Sequence, residues 1–416
     1  MWGVKKNSKK TVFVAMSGGV DSSVAALLLK KQGYKVIGVF MRCYNLDGCA
    51  EHDAEDARRV AEKLKIPFYV WNFENEYKKK VVEYMVKGYK KGITPNPDVM
   101  CNREIKFGLF LEKALRMGAD YVATGHYVRL SPEFPISNYQ FSNNYKKCLK
   151  NLKIENLLKI KNYKLKIAKD LNKDQSYFLW TLTQKQLKHC LFPIGDYLKS
   201  EVRKIAKKAG LSTAEKKDSQ GICFLGKVNL DDFLKKYIPE KRGDVFDIIG
   251  KKIGEHKGAH FYTIGQRHGL GISGSKKPYY VVEKNVKKNT IVVAEGDDNS
   301  ALYKKEIKLT DINFINSVHS YILKNVGMNI LVRVRYRQLL TKAKLVISNQ
   351  ESVTRKNKEK ALITSYYLLF TEPVKFIAPG QSAVFYLPAI ASAKAGDKKR
   401  PSANSGLKML GGGVII

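Results

Sequence analysis

Strand-like and helix-like segments alternate from Thr11 onwards, and this alternation constrains the fold more than any other feature of the sequence. An apolar run at residues 12–15 leads into a helical stretch at residues 22–32, and a second apolar run follows at residues 36–41. The same alternation continues to about Thr124. Strands separated by helices pair in parallel, so the sequence predicts a doubly wound α/β sheet whose ligand site lies at the carboxyl ends of the strands.

Changes in composition divide the chain into three predicted domains. Residues 1–225 form the α/β domain, which a Lys- and Asn-rich insertion at about residues 131–164 interrupts. A Gly-rich section over residues 226–300, with short strand-like runs, predicts a small middle domain. Short strands with turn signals over residues 301–416 predict a β-barrel or a sandwich, which a loop at about residues 388–408 interrupts.

Two local patterns add detail to this outline. Helical spacing resumes at Asp174 and continues through Leu198, which predicts helix after the insertion. Farther on, Arg333, Arg335 and Arg337 alternate with apolar residues in a predicted strand. A period of two would place these three guanidinium groups on one face, where they either follow phosphates or face solvent.

An excess of basic residues favours a polyanionic partner. The 75 Lys and Arg residues outnumber the 38 Asp and Glu residues, which gives a net charge of +37. This charge exceeds what solubility requires and favours nucleic acid as the partner. A general bias towards Lys and Asn accounts for part of the excess, so charge alone does not identify the partner.

The sequence disfavours membrane proteins and disulfide-rich secreted proteins. No apolar run reaches the length of a membrane span, and the ten residues before Thr11 carry no hydrophobic signal core, so we expect a soluble cytoplasmic protein. Six cysteines without a Cys-x-x-Cys pair fit neither a disulfide scaffold nor a zinc module. Any disulfide in this chain is therefore expected to be catalytic.

A phosphate-binding loop is predicted where the string Ser-Gly-Gly-Val-Asp-Ser-Ser, residues 17–23, joins a buried strand to a helix. Gly18 and Gly19 allow main-chain N–H groups to approach a phosphate, and the helix start adds its positive dipole end. Asp21 could hold a magnesium ion or cap the helix. No Gly-Lys-Ser/Thr follows, so this is not the loop of enzymes that transfer the terminal phosphate. An ordinary glycine-rich turn is the structural alternative, but the whole string in this setting favours a phosphate site.

Two cysteines lie in settings that suit sulfur chemistry. Residues 93–102 form a predicted loop that two prolines hold away from helix geometry, with Cys101 at the threshold of the next helix. A thiol near a helix N-terminus has a lowered pKa and is more nucleophilic as its thiolate, so Cys101 is expected to have a lowered pKa. Cys223 lies in a second short loop at residues 218–224.

The other cysteines are assigned less specific roles. Cys43, Cys148 and Cys190 are interpreted as inert core residues, because free cysteines are commonly buried. Cys49, just before a predicted helix, is left undecided.

The local strings together resemble known families. Residues 17–23 resemble the pyrophosphate-binding loop of N-type ATP pyrophosphatases, which cleave ATP between its α and β phosphates and adenylate an acceptor. Nearly end to end, the chain resembles the tRNA-specific 2-thiouridylases. The shared strings are TPNPDVMCN at residues 94–102, ATGHY at 123–127, NKDQSYFL at 172–179, KKDSQGICF at 216–224, GEHKG at 254–258, YTIGQRHGLGI at 262–272, RYRQ at 335–338, PGQSAVFY at 379–386 and LGGGVI at 410–415.

This resemblance implies a fold and a reaction. The fold would be an adenine nucleotide alpha-hydrolase-like α/β domain, a small middle domain that contacts tRNA, and a C-terminal β-barrel. The enzyme would use ATP and Mg²⁺ to adenylate the C2 oxygen of the wobble uridine of tRNA and then replace that oxygen with sulfur. A persulfide donor, either a desulfurase or a relay protein, would load Cys223, and Cys101 would act as the nucleophile that helps release the sulfur. A disulfide between Cys101 and Cys223 would then form and need reduction.

The resemblance also implies which residues bind each substrate. The ATP site would comprise Ala15, Met16, Ser17, Gly18, Gly19, Val20, Asp21, Ser22 and the main chains of Met41 and Gly125. The tRNA site would comprise Asn96, Pro97, Asp98, His126, Lys173, Asp174, Gln175, Tyr336, Arg337 and Gln381. Within that set, Asn96, Pro97 and Asp98 would touch the flipped target base, and Asp98 would join the two cysteines as a catalytic residue. No dedicated metal site is expected.

Three alternatives stay open. An amide-forming ATP pyrophosphatase acting on a small molecule would share the phosphate loop but would not need the two cysteines. The same thiolation could use an iron–sulfur cluster held by Cys101, Cys223 and a third ligand such as Asp21. A non-catalytic RNA-binding protein would keep the fold without cleaving ATP.

Overall fold

The computed structural model describes most of the chain. The described residues are 10–44, 49–133, 162–218, 221–224, 229–272, 276–315, 327–353, 360–387 and 407–416. Cys148, the side chain of Cys49, and most of both insertions lie outside the described residues, so the expectations for them stay predictions. Within the described part of the chain, no helix is long and apolar enough to cross a membrane.

The secondary structure begins as the alternation predicts and ends in long strands. In chain order the strands are β1 Thr11–Ala15, β2 Lys35–Arg42, β3 Phe68–Asn72, β4 Tyr121–Ala123, β5 Val128–Glu133, β6 Asn162–Ile167, β7 Cys190–Leu191, β8 Gly243–Asp247, β9 Lys252–His256, β10 Tyr279–Asn285, β11 Thr290–Glu295, β12 Tyr303–Phe314, β13 Met328–Arg333, β14 Thr341–Val353, β15 Lys360–Lys375, β16 Ser382–Leu387 and β17 Lys408–Ile415.

Two of the helices contain π-helical segments. The helices are α1 Val20–Lys31, α2 Cys49–Lys63, α3 with segments Glu74–Tyr77, Lys78–Val82 and Glu83–Lys90, α4 with segments Pro97–Cys101, Asn102–Phe110 and Leu111–Arg116, α5 Gln184–Leu187, α6 Lys199–Lys208 and α7 Leu230–Lys235. The middle segments of α3 and α4 are π-helical. Such segments are uncommon and occur frequently at functional sites.

The first domain is built on a parallel sheet of order β3-β2-β1-β4-β7. Successive side chains of β1 point to opposite faces, and both faces are covered. Val12 and Val14 pack in a cluster with residues of α1, α2 and α6, whereas Phe13 packs with residues of α3 and α4. The predicted doubly wound parallel sheet is therefore confirmed, and the ends of β1, β2 and β4 meet at one edge, where a ligand site is expected.

The helical stretch predicted between Asp174 and Leu198 is wrong. This segment contains a 3₁₀ turn at Ser176–Phe178, the short helix α5 and the two-residue strand β7 before α6 begins. Hydrogen bonds from polar side chains account for the difference, since Thr183 and Gln186 form a capping box that starts α5. Periodic apolar residues alone could not reveal these breaks.

The second and third domains are mainly β. The middle domain contains a four-stranded sheet of order β10-β11-β8-β9, in which only the β11–β8 pair is parallel. In the third domain, β12, β15, β14, β13, β16 and β17 pair in that order, and β17 pairs back with β12. This six-stranded ring confirms the β-barrel rather than the sandwich, and its interior is filled by an apolar cluster that includes Leu345, Leu368 and Phe385.

A hairpin from the first domain extends the barrel sheet. Strands β5 and β6 pair antiparallel, and β6 pairs with β17 through Lys166 and Lys408. The insertion was expected to begin near residue 131 and to end near residue 164, but both of its edges are strand in this hairpin. The hairpin therefore joins the first domain to the barrel.

Candidate active site

The turn after β1 has the backbone geometry of a ligand-binding loop. Strand β1 ends at Ala15, and α1 begins at Val20 with Gly19 as its N-cap. Gly18 has a φ of +71°, and a Cβ added there would lie 2.3 Å from the carbonyl oxygen of Asp53. Only glycine fits at this position. The N-terminus of α1 consequently faces the carboxyl edge of the sheet, where its free N–H groups suit a phosphate.

The serine side chains of this loop act in two ways. Ser17 is exposed at the mouth of the loop, and the Ser22 hydroxyl accepts a hydrogen bond from the Ser17 N–H at 3.1 Å. The Ser23 hydroxyl donates to the Gly19 carbonyl at 2.8 Å and accepts from Thr213 at 3.1 Å. Ser23 is fully buried, so it shapes the loop rather than facing a ligand.

Asp21 lies in a network of charges that local sequence patterns did not predict. The Lys199 ammonium lies 2.7 and 2.8 Å from the two Asp21 carboxylate oxygens, and the Tyr127 hydroxyl donates to Asp21 at 2.9 Å. Lys199 also lies 2.9 Å from Asp218, which binds Lys173 at 2.6 Å. Lys199 thereby links Asp21, on the phosphate loop, to the carboxylate of Asp218.

Asp218, the second carboxylate of this network, has a lowered pKa. Arg203 contacts Asp218 at 2.7 Å, in addition to the two lysines. Burial opposes ionisation of Asp218, but hydrogen bonds from Lys173 and Lys199 outweigh it and lower the pKa of this carboxyl to about 2. Three cations thus stand beside the phosphate loop, and Lys199 and Arg203 are the two that sequence reasoning missed.

Gly125 and Met41 lie at the same edge of the sheet. A Cβ added to Gly125 would lie 2.7 Å from the Ser22 nitrogen and 2.8 Å from the Asp21 carbonyl carbon. The chain after β4 therefore packs directly on the first turn of α1. Met41 is the penultimate residue of β2, in register with Trp71 of β3.

The loop expected around Cys101 is wrong in one respect. Helix α4 begins at Pro97, and Asn96 caps it by accepting a hydrogen bond from the Val99 N–H at 3.2 Å. Proline is well tolerated at the first position of a helix, so Pro97 starts the helix instead of delaying it. Cys101 is therefore the fifth residue of the helix and is fully buried.

The structure brings the two predicted catalytic cysteines together. The Sγ atoms of Cys101 and Cys223 lie 3.6 Å apart, although 122 positions separate them in the chain. Asp98, one turn before Cys101, accepts a hydrogen bond from the Cys223 N–H at 2.8 Å. The Tyr77 hydroxyl donates to the Cys223 carbonyl at 2.6 Å. Asp98 and Tyr77 hold the main chain of Cys223 on both sides, so its sulfur is fixed against that of Cys101.

The electrostatics of the pair lower the pKa of Cys223 and not that of Cys101. The Cys101 thiol donates to the Cys223 sulfur, and this bond, opposed by burial and assisted by the Lys106 ammonium, lowers the pKa of Cys223 to about 7. Burial raises the pKa of Cys101 well above its usual value. The prediction that Cys101 has the lowered pKa is wrong, because helix α4 begins one turn earlier and buries this thiol.

Lys106 is a site residue that sequence reasoning missed. It lies in the π-helical segment of α4, five positions after Cys101, and its ammonium stands 5.6 Å from the centre of the Phe224 ring. Its pKa is raised, because attraction to Cys223 and Cys101 outweighs the opposing effect of burial. The sequence offered no signal for it, because a spacing of five on a regular α-helix would turn Lys106 away from Cys101.

Cys43 and Cys190, interpreted as inert core residues, are both buried. Burial raises the pKa of each thiol. Cys190 lies in β7, whereas Cys43 follows β2 and is close enough to Cys223 for that residue's charge to raise its pKa further. Three of the described thiols thus belong to one electrostatic neighbourhood.

Several residues expected to contact tRNA have partners within the protein. His126 is 6% exposed between the rings of Phe107 and Phe192, and burial lowers its pKa well below the usual value, so its imidazole is neutral. Gln175 accepts a hydrogen bond from the Tyr127 N–H at 2.9 Å. These contacts shape the site, and direct tRNA binding by these residues stays a prediction.

Asp174 and Gln381 connect the first domain to the barrel. Asp174 is 2% exposed and lies 3.1 Å from the Arg333 guanidinium, a buried ion pair between the two domains. The Gln381 side chain donates to the Thr94 carbonyl at 2.9 Å. Both residues are therefore structural in this conformation, whatever further contact they make with RNA.

The predicted row of three arginines does not form. Strand β13 ends at Arg333, which pairs with Asp174, and Arg335 donates to the Ile264 carbonyl. Arg337 has a φ of +64° and stacks over Tyr336 with 5.2 Å between its guanidinium carbon and the ring centre. Two of the guanidinium groups bind protein partners, so only exposed Arg337 is available to a phosphate.

One proposed ligand of the iron–sulfur alternative lies on the phosphate loop. Asp21 is bound there by Lys199 and Tyr127. Among the described residues, no group of three or more His, Cys, Asp or Glu side chains is arranged to hold a metal ion.

Comparisons with known families agree along the chain. Residues 10–227 match the tRNA methyl transferase HUP domain, residues 231–295 match the tRNA methyl transferase PRC-barrel domain, and residues 304–391 match the aminomethyltransferase beta-barrel domain. The three matches follow one another in the order of the three structural units described above.

Curated relatives match over nearly the full length. The chain is 44% identical over 387 residues to a protein named tRNA-specific 2-thiouridylase MnmA in Staphylococcus aureus strain JH9, covering 91% of this chain and 93% of the relative, and the same values hold for strain Newman. A solved 4-thiouridine synthetase–RNA complex with bound ATP is 17% identical, with coverage of 55% of this chain and 50% of that chain and a TM-score of 0.33. A TM-score of this size does not demonstrate a shared fold.

Proposed function

We propose a reaction for this chain on the premise that it belongs to the tRNA-specific 2-thiouridylase family, a membership that 44% identity over 91% of its length establishes. As a member it is a tRNA sulfurtransferase. The reaction is the ATP-dependent 2-thiolation of the wobble uridine of tRNA, with sulfur delivered from a cysteine persulfide. The observation that carries the proposal is the 3.6 Å separation of the Cys101 and Cys223 sulfur atoms beside the carboxyl edge of the sheet.

The first step uses the phosphate loop. The C2 oxygen of uridine attacks the α-phosphorus of ATP, the bond to pyrophosphate breaks, and the uridine becomes an adenylate ester. Residues 17–22 would bind the phosphates through main-chain N–H groups and hydroxyls, with Lys199 and Arg203 nearby to offset the negative charge. Asp21 fits a magnesium ion as a single carboxylate ligand once Lys199 turns to the phosphates, because magnesium takes one or two carboxylates and completes its shell with phosphate oxygens.

The second step uses the two cysteines. Cys223, loaded as a persulfide, attacks the activated C2 carbon with its outer sulfur, and AMP leaves with the former C2 oxygen. Cys101 then loses its proton to solvent, and its sulfur attacks the inner sulfur of Cys223, which breaks the S–S bond and leaves the outer sulfur on the base. The product is a Cys101–Cys223 disulfide, and an external thiol returns both residues to the reduced state.

Asn96, Pro97 and Asp98 are positioned to meet the target base. They form the N-terminus of α4, one turn before Cys101, and Asp98 holds the Cys223 loop. A uridine must leave its stack to reach this point. Lys173 and Tyr336, which are half-buried, and the exposed Arg337 would hold the surrounding tRNA, with Arg337 free to contact a phosphate.

The proposal is tested by separating the two steps. The chain is incubated with unmodified tRNA, ATP, magnesium and a persulfide donor. The tRNA is then digested, and its nucleosides are identified by mass spectrometry. We expect 2-thiouridine from the native chain, none from Cys101→Ser or Cys223→Ser, and pyrophosphate release in all three. Cys190→Ser is the matched control, because Cys190 is buried in β7 without the neighbouring sulfur, and it should form 2-thiouridine at the native rate.

The alternatives predict different results in the same experiment. An amide-forming enzyme would release pyrophosphate without tRNA and would tolerate Cys223→Ser. A cluster-dependent enzyme would form 2-thiouridine only after iron and sulfide are reconstituted under anaerobic conditions. A non-catalytic RNA-binding protein would release no pyrophosphate.

A further inference from the structure

We propose that Lys106 is a further catalytic residue, whose ammonium holds the Cys223 sulfur as an anion while that sulfur accepts and passes on the transferred atom. The inference rests on the proposed function, because it assigns Lys106 to the sulfur-transfer step of the same site. Nothing in the phosphate chemistry requires this residue.

The position of Lys106 follows from the irregular helix that carries it. Cys101 closes the first α-helical segment of α4, and Lys106 lies in the π-helical segment Asn102–Phe110. A π-helical turn links residue i to residue i+5, so Lys106 stands one turn after Cys101 on the same face. A regular α-helix would turn Lys106, the fifth residue after Cys101, away from that face.

The ammonium is in contact with the Cys223 loop. It lies 5.6 Å from the centre of the ring of Phe224, the residue that follows Cys223, and attraction to Cys223 contributes to raising its pKa. A cation over an aromatic face is held in place even when its anion partner changes. Lys106 can therefore remain beside residue 223 when the sulfur there is lengthened to a persulfide.

The surrounding charges leave Lys106 as the stabilising group for an anion. The groups that act on the Cys223 charge from the neighbouring elements are Cys101 and Asp98 on α4, Cys43 after β2, and Lys106 itself. Tyr77, on α3, holds the Cys223 carbonyl through a neutral hydroxyl. The Asp98 carboxylate repels a second negative charge, and Cys43 does so if it ionises. Among these described groups Lys106 carries the positive charge, so it adds to the Cys101 hydrogen bond in stabilising a thiolate at residue 223.

Sulfur transfer needs such a cation twice. In loading, the Cys223 thiolate attacks the outer sulfur of the donor persulfide, a new S–S bond forms, and the donor leaves as a thiolate. In delivery, the outer sulfur of the Cys223 persulfide attacks C2 as an anion, and AMP carries away the electron pair. Both nucleophiles are anions on one sulfur chain, and one fixed ammonium stabilises both without moving.

Lys113 offers a matched comparison on the same helix. Its ammonium also lies over aromatic rings, 4.7 Å from Trp71 and 5.7 Å from Phe73. If Lys106 only packed against Phe224, the two lysines would respond alike to removal of the charge. Lys106 differs from Lys113 in lying beside Cys223, and attraction to Cys223 raises the pKa of Lys106.

The test measures the reactivity of Cys223 without the tRNA reaction. The full chain and the variants Lys106→Met, Lys106→Gln, Lys106→Arg and Lys113→Met are treated with iodoacetamide across a pH series, and alkylation is quantified on the peptide that contains Cys223. We expect a midpoint near pH 7 in the native chain and in Lys113→Met. The midpoint should rise by about one pH unit or more in Lys106→Met and Lys106→Gln. In Lys106→Arg the midpoint should stay close to the native value, because this variant keeps the positive charge.

The outcomes separate this inference from the proposed function. An unchanged midpoint in the folded Lys106→Met or Lys106→Gln chain overturns the role of Lys106, and so does native sulfur loading from a persulfide donor by either variant. If the midpoint shifts while the native chain forms no 2-thiouridine, the inference about Lys106 stands and the proposed reaction fails. A shift accompanied by at least tenfold slower loading supports both.

Discussion

The Asp98 carboxylate accepts a hydrogen bond from the Cys223 N–H at 2.8 Å, which ties a loop of the chain 125 positions away to the first turn of α4. Burial raises the pKa of this carboxyl, so its ionised form depends on the N–H donor. Asp98 thus has a structural role in addition to any contact with the base. It keeps the Cys223 sulfur within reach of Cys101.

Replacing Asp98 should release the Cys223 loop. A hydrogen bond to a charged group contributes about 1.5–3 kcal/mol, so Asp98→Ala should lower 2-thiouridine formation roughly tenfold or more. Hydrogen exchange at the Cys223 amide should accelerate by a similar factor. Asp98→Asn keeps an acceptor oxygen and should preserve most of that amide protection, and equal exchange in all three chains would show that the bond does not hold the loop.

Mild oxidation should join the two catalytic cysteines. Sulfur atoms 3.6 Å apart need only a small movement to form a bond, so diamide should produce a Cys101–Cys223 disulfide. Peptide mapping of a non-reduced digest would detect it, and dithiothreitol should restore activity. Cys190→Ser should cross-link like the native chain, whereas a disulfide that instead contained Cys190 would contradict the arrangement.

The two thiols should react with iodoacetamide at different rates. Cys223, with a pKa of about 7, is largely thiolate at pH 7.5, whereas Cys101 stays protonated because its pKa is raised. Cys223 should be alkylated at least tenfold faster. Because protonation removes the nucleophile, its rate should fall as the pH drops through 7. Faster modification of Cys101 would reverse the assignment of the reactive thiol.

Substitution of Gly125 should weaken ATP binding. An added Cβ would lie 2.7 Å from the Ser22 nitrogen, a distance that forces the start of α1 to move. Gly125→Ala should therefore lower ATP affinity roughly tenfold or more in calorimetric titration. Gly254→Ala is a suitable control, because the nearest atom to its added Cβ is 3.5 Å away in the middle domain, and it should bind ATP normally.

Loss of Arg333 should destabilise the chain more than loss of a surface arginine. Removing one partner of a buried ion pair costs about 3–5 kcal/mol, because Asp174 would be left buried without its cation. Arg58 pairs with Glu55 on the surface, where solvent screens the charges, so Arg58→Ala should lower the free energy of unfolding much less. Urea unfolding of both variants measures the difference, and equal free energies of unfolding would show that the Asp174 pair is not structural.

The parts of the fold that depend on local periodicity could be predicted from the sequence. Buried strands such as Val12–Ala15 and Ser382–Leu387 are marked by continuous apolar residues, and the Gly18 turn is marked by its neighbours. These signals lie within a few residues of each other. The α/β sheet, the barrel and the glycine turn after β1 could therefore be predicted from the sequence.

The parts that depend on distant contacts could not be predicted in the same way. The pairing of Lys199 with Asp21 joins residues 178 positions apart, and nothing near either residue indicates it. The early start of α4 was missed because Pro97 suits both a loop and the first position of a helix, and only the Asn96 cap decides between them. That one local choice buried Cys101 and moved the reactive thiol to Cys223.

The docking of the barrel on Thr94 has a mechanical consequence. The Thr94 N–H donates to the Pro379 carbonyl at 2.8 Å, and the Gln381 side chain donates to the Thr94 carbonyl at 2.9 Å. Four residues later comes Asp98, which carries the Cys223 loop. Thr94 thus links the barrel to the start of the helix that carries Cys101, so a movement of the barrel at this contact is passed on to the segment that positions the two sulfur atoms.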